Sequence, residues 1–193
     1  MNNNRILNDI LAYNEQFVED KQYEAYATTK EPNKKLVVLS CMDTRLTELL
    51  PKAMNIKNGD AKIIKNAGAT IMHPFGSITR SILVAIYEFH AKDIIVVGHH
   101  GCGMSHLNTE NLMEKIRERG ISDETIATLQ NAGIDVLQWL HGFESIEDAI
   151  RESVKTIKHH PLIPKDIHVH GLIMDPYTGK LDVVVNGYEE CNA

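Results

Sequence analysis

The run Ile94-Ile95-Val96-Val97 constrains the fold of this 193-residue chain more than any other feature. Four consecutive aliphatic residues between Asp93 and Gly98 are too few for a helix, and they lack the polar–apolar alternation of a strand with one solvated face. We therefore interpret the run as a strand that is buried on both faces. Such strands are typical of parallel sheets covered by helices.

The rest of the chain alternates similar short runs with segments of helical periodicity. Further strands are predicted at residues 36–39, 61–64, 168–174 and 180–185, with the turn Asp175-Pro-Tyr-Thr-Gly179 joining the last two. Helices are predicted at residues 104–119 and 122–140. Two further helices are predicted, one beginning at Pro74 and one beginning with a capping box at Ser145. Strands alternating with helices predict the α/β class: a mostly parallel β-sheet flanked by helices, with an antiparallel C-terminal edge strand.

The length favours a single domain spanning residues 1–193. Within residues 1–30, the spacing of apolar side chains predicts an N-terminal amphipathic helical arm. These side chains are Ile6, Leu7, Ile10, Leu11, Phe17 and Val18. The α/β core is assigned to residues 36–185.

Composition and charge exclude several classes of partner. The net charge is −6 and no basic run stands out, which argues against nucleic acid and against an anionic membrane surface. No run has the ~18 apolar residues of a membrane span, and the first residues lack the apolar stretch of a signal peptide, so we expect a cytoplasmic protein. Three cysteines do not make a disulfide framework, and Cys191 is expected to be a free surface thiol.

Two chemically rich segments follow strands. Residues 40–45 follow the first strand and contain Cys41, and residues 98–103 follow the strand at 94–97 and contain His99 and Cys102. Open parallel sheets place their sites beyond the carboxyl ends of the strands, so we expect these three side chains to meet. Two thiolates and an imidazole are ligands that zinc prefers, and three protein ligands with an open position are typical of catalytic rather than structural zinc.

Simpler interpretations exist for each part taken alone. A cysteine at a strand end is usually a small buried hydrophobic residue. The pair Asp43 and Arg45 can be an ordinary ion pair within a turn. The glycine-rich segment 98–103 has neither the Gly-x-Gly-x-x-Gly spacing nor the lysine of a nucleotide-binding loop. Metal binding is favoured because the three candidate ligands come together at neighbouring strand ends.

The motifs Cys41-x-Asp43-x-Arg45 and His99-x-x-Cys102 resemble the two signatures of β-class carbonic anhydrases. The segment 65–68, Lys-Asn-Ala-Gly, is similar to the Arg-Asn-Ala-Gly loop of that family, and residues 169–179 resemble its terminal hairpin. The resemblance covers about residues 36–185. The short chain is similar to the compact bacterial and archaeal branch.

The resemblance implies reversible hydration of carbon dioxide to bicarbonate and a proton by a zinc-bound hydroxide, with one Zn²⁺ per chain. It assigns Cys41, His99 and Cys102 to the metal and Asp43 to the reaction, with Asp43 also a conditional fourth ligand. Arg45 would hold Asp43 ionised, and the neighbourhood of Gly68 would offer backbone N–H groups to the substrate. The resemblance further implies a homodimer or a dimer of dimers.

Some features leave alternatives open. Carbonyl sulfide and carbon disulfide hydrolases resemble the same family, and a non-catalytic zinc-stabilised binding module is a third possibility. Any of the histidines at positions 73, 100 and 106 can be considered as a proton relay. His100 stands where the family usually has Thr, and residues 120–142 have no counterpart that we can match.

Overall fold

The structure is a computed structural model and describes residues 5–189. The described chain forms two compact units, with the boundary between Lys30 and Glu31. The N-terminal unit contains helix α1 (Arg5–Glu19) and a 3-10 helix (Gln22–Tyr26). No residue of α1 is buried, and most of its apolar residues are solvent-exposed, with Phe17 partly buried. A helix is therefore present over the residues whose spacing predicts one.

The second unit is a five-stranded sheet with six α-helices in its described residues. The strands are β1 (Leu36–Cys41), β2 (Ala61–Asn66), β3 (Asp93–His99), β4 (His168–Met174) and β5 (Leu181–Val185). The helices are α2 (Leu46–Ala53), α3 (Ser77–Phe89), α4 (Thr109–Glu118), α5 (Asp123–Asn131), α6 (Val136–Leu140) and α7 (Ile146–Lys158). A short 3-10 turn, Ala67–Ala69, follows β2.

The strand order is β2-β1-β3-β4-β5. Strands β2, β1, β3 and β4 run parallel, and β5 pairs antiparallel with β4 at the edge. This confirms the predicted fold class. Because β1 and β3 are neighbours and run the same way, the segments that follow them emerge at one end of the sheet.

The core lies on both faces of the sheet, as the continuous apolar strands require. On one face, β1 and β3 residues such as Val37 and Val96 pack in one cluster with residues of α3 and α7. On the other face, Val38 and Val97 join a cluster with Leu46 and Leu50 of α2. Val97 of β3 and the centre of β1 are almost fully buried. This burial restrains the carboxyl ends of both strands.

The structure corrects three of the predicted helices. Helix α4 begins at Thr109 rather than 104, because the intervening residues form turns and a β-bridge joins Ser105 to Phe143. The single helix predicted over 122–140 is wrong: the chain breaks at Gly133, whose φ is +85°, and Asp135 caps a new helix, α6. The segment opened by Pro74 becomes helical only at Ser77.

Helix α7 begins where its capping residue predicts. The Ser145 side chain accepts a hydrogen bond from the N–H of Asp148 at 3.2 Å, which satisfies one of the free donors of the first turn. Its buried residues include Ile150, Val154 and Ile157, three of the four that the periodicity placed inside. Among the described residues, no helix combines the length and apolar character needed to cross a membrane.

Candidate metal centre

Cys41, His99 and Cys102 meet at the carboxyl end of the sheet, as the sequence predicts. Cys41 is the last residue of β1, His99 is the last residue of β3, and Cys102 follows in the loop. Their ligand atoms all lie within 4.8 Å of one another, and they are the one group of this kind in the described residues. All three side chains are buried, with 4, 1 and 6 % of their surface exposed.

The spacing of the two sulfur atoms suits a tetrahedral zinc ion. The Sγ atoms of Cys41 and Cys102 are 3.8 Å apart. Zinc–sulfur bonds of about 2.3 Å at the tetrahedral angle put two thiolates roughly 3.8 Å apart. The donor set and its spacing therefore fit zinc without any rearrangement of the two cysteines.

The imidazole of His99 is oriented for a metal by its backbone. Its Nδ1 lies 3.0 Å from the carbonyl oxygen of His100, which selects the tautomer in which Nδ1–H donates. The Nε2 atom is buried and has no hydrogen-bond partner. A metal-ligating histidine commonly donates a hydrogen bond from its second ring nitrogen to a carbonyl in this way, and the unpartnered Nε2 of His99 is free to coordinate a metal.

The two thiols differ in acidity because they share a hydrogen bond. The Cys102 thiol lowers the pKa of Cys41, and His99 and the backbone N–H groups of Asp43 and Gly68 lower it further. The same contact with Cys41, together with burial, raises the pKa of Cys102. These contacts favour the thiolate form at Cys41 over Cys102, and a bound dication would stabilise the thiolate form of both.

Asp43 and Arg45 form a tight ion pair beside the ligand group. The Arg45 Nε donates to Asp43 Oδ1 at 2.9 Å, Nη2 donates to Oδ2 at 2.8 Å, and the Arg45 backbone N–H also donates to Oδ1 at 2.9 Å. These bonds hold the pKa of Asp43 well below its usual range and raise that of Arg45. Asp43 Oδ2 is 3.7 Å from His99 Nε2, so the carboxylate borders the place where a metal would sit.

Gly68 contributes its backbone to the metal centre. Its backbone N–H lowers the pKa of the Cys41 thiol, and its φ of +79° is a conformation that favours glycine. A Cβ atom there would lie 2.9 Å from the ring of Phe143 and 3.3 Å from Met104. The predicted role of this region in binding substrate stays a prediction.

The segment before Gly68 secures the end of β1. The Lys65 ammonium donates to the Cys41 carbonyl oxygen at 3.3 Å, and the Met42 N–H donates to the Asn66 carbonyl at 2.8 Å. Burial lowers the pKa of Lys65. The motif at 65–68 therefore supports the position of Cys41 from the neighbouring strand.

Sequence reasoning missed Met104, Phe143 and Tyr177 as parts of the site. The Phe143 N–H donates a hydrogen bond to the Met104 carbonyl oxygen at 3.1 Å. The side chains of both residues pack on Gly68. Tyr177 contacts Arg45 from the β4–β5 turn. No motif marks these residues, although the resemblance of 169–179 to the family hairpin covered Tyr177.

Three further histidines are candidates for a proton relay. His73, His100 and His106 are all exposed, and a proton-relay role for any of them stays a prediction. His160, by contrast, is buried in the core. Cys191 lies outside the described residues.

Comparison with known proteins agrees with this geometry. Residues 36–181 match the family model described as carbonic anhydrase. The chain is 59 % identical over 189 residues to YvdA of Bacillus subtilis (strain 168), whose name assigns carbonic anhydrase activity provisionally, with 98 % of this chain and 96 % of that protein covered. The crystal structure of β-carbonic anhydrase isoform I of Trichomonas vaginalis superposes with a TM-score of 0.85 at 35 % identity, covering 97 % of this chain and all of that one.

This chain belongs to the β-carbonic anhydrase family. The chain is also similar to a protein that is named for a different activity. A carbon disulfide hydrolase of Acidithiobacillus thiooxidans is 30 % identical over 166 residues, covering 80 % of this chain and 74 % of that protein.

Proposed function

We infer that this β-carbonic anhydrase family member is a zinc enzyme that interconverts carbon dioxide and bicarbonate. The observation that carries the proposal is the three-ligand group itself. Cys41, His99 and Cys102 point their ligand atoms together, with His99 Nε2 buried and unpartnered. Three protein ligands beside an ionised carboxylate are typical of a catalytic zinc site.

Zinc, when bound there, supplies a Lewis acid that makes hydroxide available near neutral pH. Asp43 stays ionised across that range because Arg45 lowers its pKa. An ionised carboxylate only accepts hydrogen bonds, so Asp43 would accept one from the hydroxide and would thereby direct a lone pair of the hydroxide oxygen toward the carbon of carbon dioxide. Arg45 prevents the carboxylate from taking up the proton that the reaction releases.

The bidentate pair also restrains the position of Asp43. Two parallel N–H···O bonds at 2.8 and 2.9 Å fix the plane of the carboxylate. Arg45 Nη2 donates further to the carbonyl oxygen of Gly101 at 3.2 Å, which ties the pair to the loop that carries Cys102. The chain thereby holds an acceptor at a constant distance from the ligand group.

Carbon disulfide or carbonyl sulfide hydrolysis is the second candidate. The relative from Acidithiobacillus thiooxidans favours it, and the apolar wall of Phe143 and Met104 beside Gly68 suits sulfur as well as oxygen. A non-catalytic zinc module is the weaker alternative, because a structural site normally has four protein ligands.

Two broader proposals accompany the activity. Thiols that serve as ligands need reducing surroundings, which supports a cytoplasmic location. The exposed apolar residues of α1 support assembly as a homodimer or a dimer of dimers, in which a partner covers them.

The test combines two measurements on one sample. Zinc content is determined by elemental analysis, and carbon dioxide hydration is followed by stopped flow, with carbonyl sulfide and carbon disulfide hydrolysis assayed in parallel. We expect about one zinc per chain and the highest kcat/KM for carbon dioxide. A higher kcat/KM of the zinc-loaded protein for a sulfur analogue than for carbon dioxide would favour the second candidate over the first. Zinc-loaded protein that is inactive on all three substrates would support the binding module.

A further inference from the structure

Arg45 joins three segments that are distant in sequence. Its Nε and Nη2 bind Asp43, Nη2 also reaches the Gly101 carbonyl, and Nη1 donates to the Tyr177 hydroxyl at 3.5 Å. The guanidinium carbon lies 5.6 Å from the centre of the Tyr177 ring, within cation–π range. Tyr177 thus holds the guanidinium nitrogen that neither Asp43 nor Gly101 uses.

The turn that presents Tyr177 is rigid. The Asp175 carboxylate accepts hydrogen bonds from the N–H groups of Tyr177 and Thr178, both at 2.8 Å. The Asp175 N–H donates to the Lys180 carbonyl, and the Gly179 N–H donates to the Asp175 carbonyl, both at 2.9 Å. These four bonds fix the backbone of the turn although the Tyr177 residue itself is 81 % exposed.

The same turn is anchored to the metal loop. Met174, the residue before the turn, is the register partner of His99, and its carbonyl accepts the His100 N–H at 3.0 Å. Gly179 packs on the other side against Leu49 and Ala53 of α2. Tyr177 therefore has a fixed position relative to the ligands of the metal centre.

Asp43 has only a short distance to move to reach the metal position, because its Oδ2 already lies 3.7 Å from His99 Nε2. The orientation of Arg45 decides which way the carboxylate faces. We propose that Tyr177 is a positioning residue: it fixes Arg45, so that Asp43 stays paired with the guanidinium and the fourth metal position stays open to small ligands. This rests on the proposed metal site and deepens it.

The test measures the open position directly. Protein loaded with Co²⁺ in place of zinc is titrated with azide, an anion that binds an open metal position, and binding is followed by visible absorption. The variants are Tyr177→Ala, which removes ring and hydroxyl, and Tyr177→Phe, which keeps the ring. Lys180→Ala is the matched control, because that exposed side chain pairs with Asp182 in the same hairpin.

We expect Tyr177→Ala to bind azide about two- to fivefold more weakly, the size of an exposed cation–π contact. Tyr177→Phe should lie between it and the parent, and Lys180→Ala should match the parent. Cobalt content and melting temperature should be the same in all four proteins. Equal azide affinity in Tyr177→Ala and the parent would overturn the role of Tyr177.

This readout is independent of turnover. Protein that binds cobalt and azide but hydrates no carbon dioxide would refute the proposed function, while the order of azide affinities would still decide the role of Tyr177. A loss of hydration in Tyr177→Ala with unchanged azide affinity would also contradict the proposal, since it would show that the tyrosine acts elsewhere.

Discussion

At the residue scale, His99 shows how a single side chain is prepared for a cation. The carbonyl oxygen of His100 accepts a hydrogen bond from Nδ1, and Nε2 is buried without a hydrogen-bond partner. A buried polar atom without a partner costs about 1–3 kcal/mol. Metal binding removes this cost, so the site should stabilise the protein when it is filled.

Loss of one thiol should therefore release the metal. We expect Cys102→Ser to lose most of its zinc, because a serine hydroxyl is a much poorer ligand for zinc than a thiolate. Elemental analysis after gel filtration measures this. Cys191→Ser, which exchanges the cysteine that lies outside the described residues, is the control and should keep about one zinc per chain. Full zinc content in Cys102→Ser would contradict the ligand set.

Asp43 should separate chemistry from metal binding. The amide of Asp43→Asn is a poorer hydrogen-bond acceptor for hydroxide than the carboxylate, and the variant has no ion pair with Arg45. We therefore expect kcat for carbon dioxide hydration to fall about 10²-fold. Zinc content should not change, because the three ligands remain. Stopped-flow rates and elemental analysis check both statements. Parent-like rates in this variant would show that Asp43 is only part of a turn ion pair.

At the element scale, the strands were predictable and several helices were not. The runs at 36–39 and 94–97 identify β1 and β3, and parallel pairing then places Cys41 and His99 at one end. Helix α2 was not predicted, because its eight residues are too few for a clear period and include Pro51. The segments around α4 to α6 were misjudged because turns and Gly133 interrupt an otherwise helical pattern.

The same limits explain the missing site residues. Asp43 and Arg45 are two positions apart in the chain, so their pairing follows from sequence. Phe143 and Tyr177 reach the site only through tertiary packing of a loop and a turn. No local pattern encodes such contacts.

The cap of α7 offers a test of an element. Ser145→Ala removes the acceptor for the Asp148 N–H, and it should lower the free energy of unfolding by about 1 kcal/mol. Urea denaturation followed by circular dichroism measures the change. The control is Ser81→Ala in α3, where the hydroxyl bonds the Ser77 carbonyl within the helix and adds little. Equal stability of Ser145→Ala and the parent would show that the cap does not matter.

At the scale of the whole molecule, the apolar surface of α1 is exposed to solvent in the single chain. It carries Ile6, Leu7, Ile10 and Leu11 with more than half of each residue exposed. Contiguous exposed apolar surface of this kind is typical of an interface. Assembly through α1 would cover it.

A charge on this surface should therefore weaken assembly. We expect Leu11→Glu to shift the protein toward the monomer in sedimentation velocity at micromolar concentration, because a carboxylate is costly to bury in an apolar contact. Asn8→Glu adds the same charge at a polar position and should sediment like the parent. A parent protein that is active and monomeric would contradict assembly itself.

The separation of the ligands along the chain has a consequence for folding kinetics. Cys41 and Cys102 are 61 positions apart, with α2, β2, α3 and β3 between them. Contacts between residues so far apart in sequence form slowly, because the entropy of closing the long loop is lost before the contact contributes any stabilising free energy. The full ligand set does not exist until β1 and β3 have paired, so uptake of the metal should be among the last events of refolding, and its rate should report assembly of the sheet.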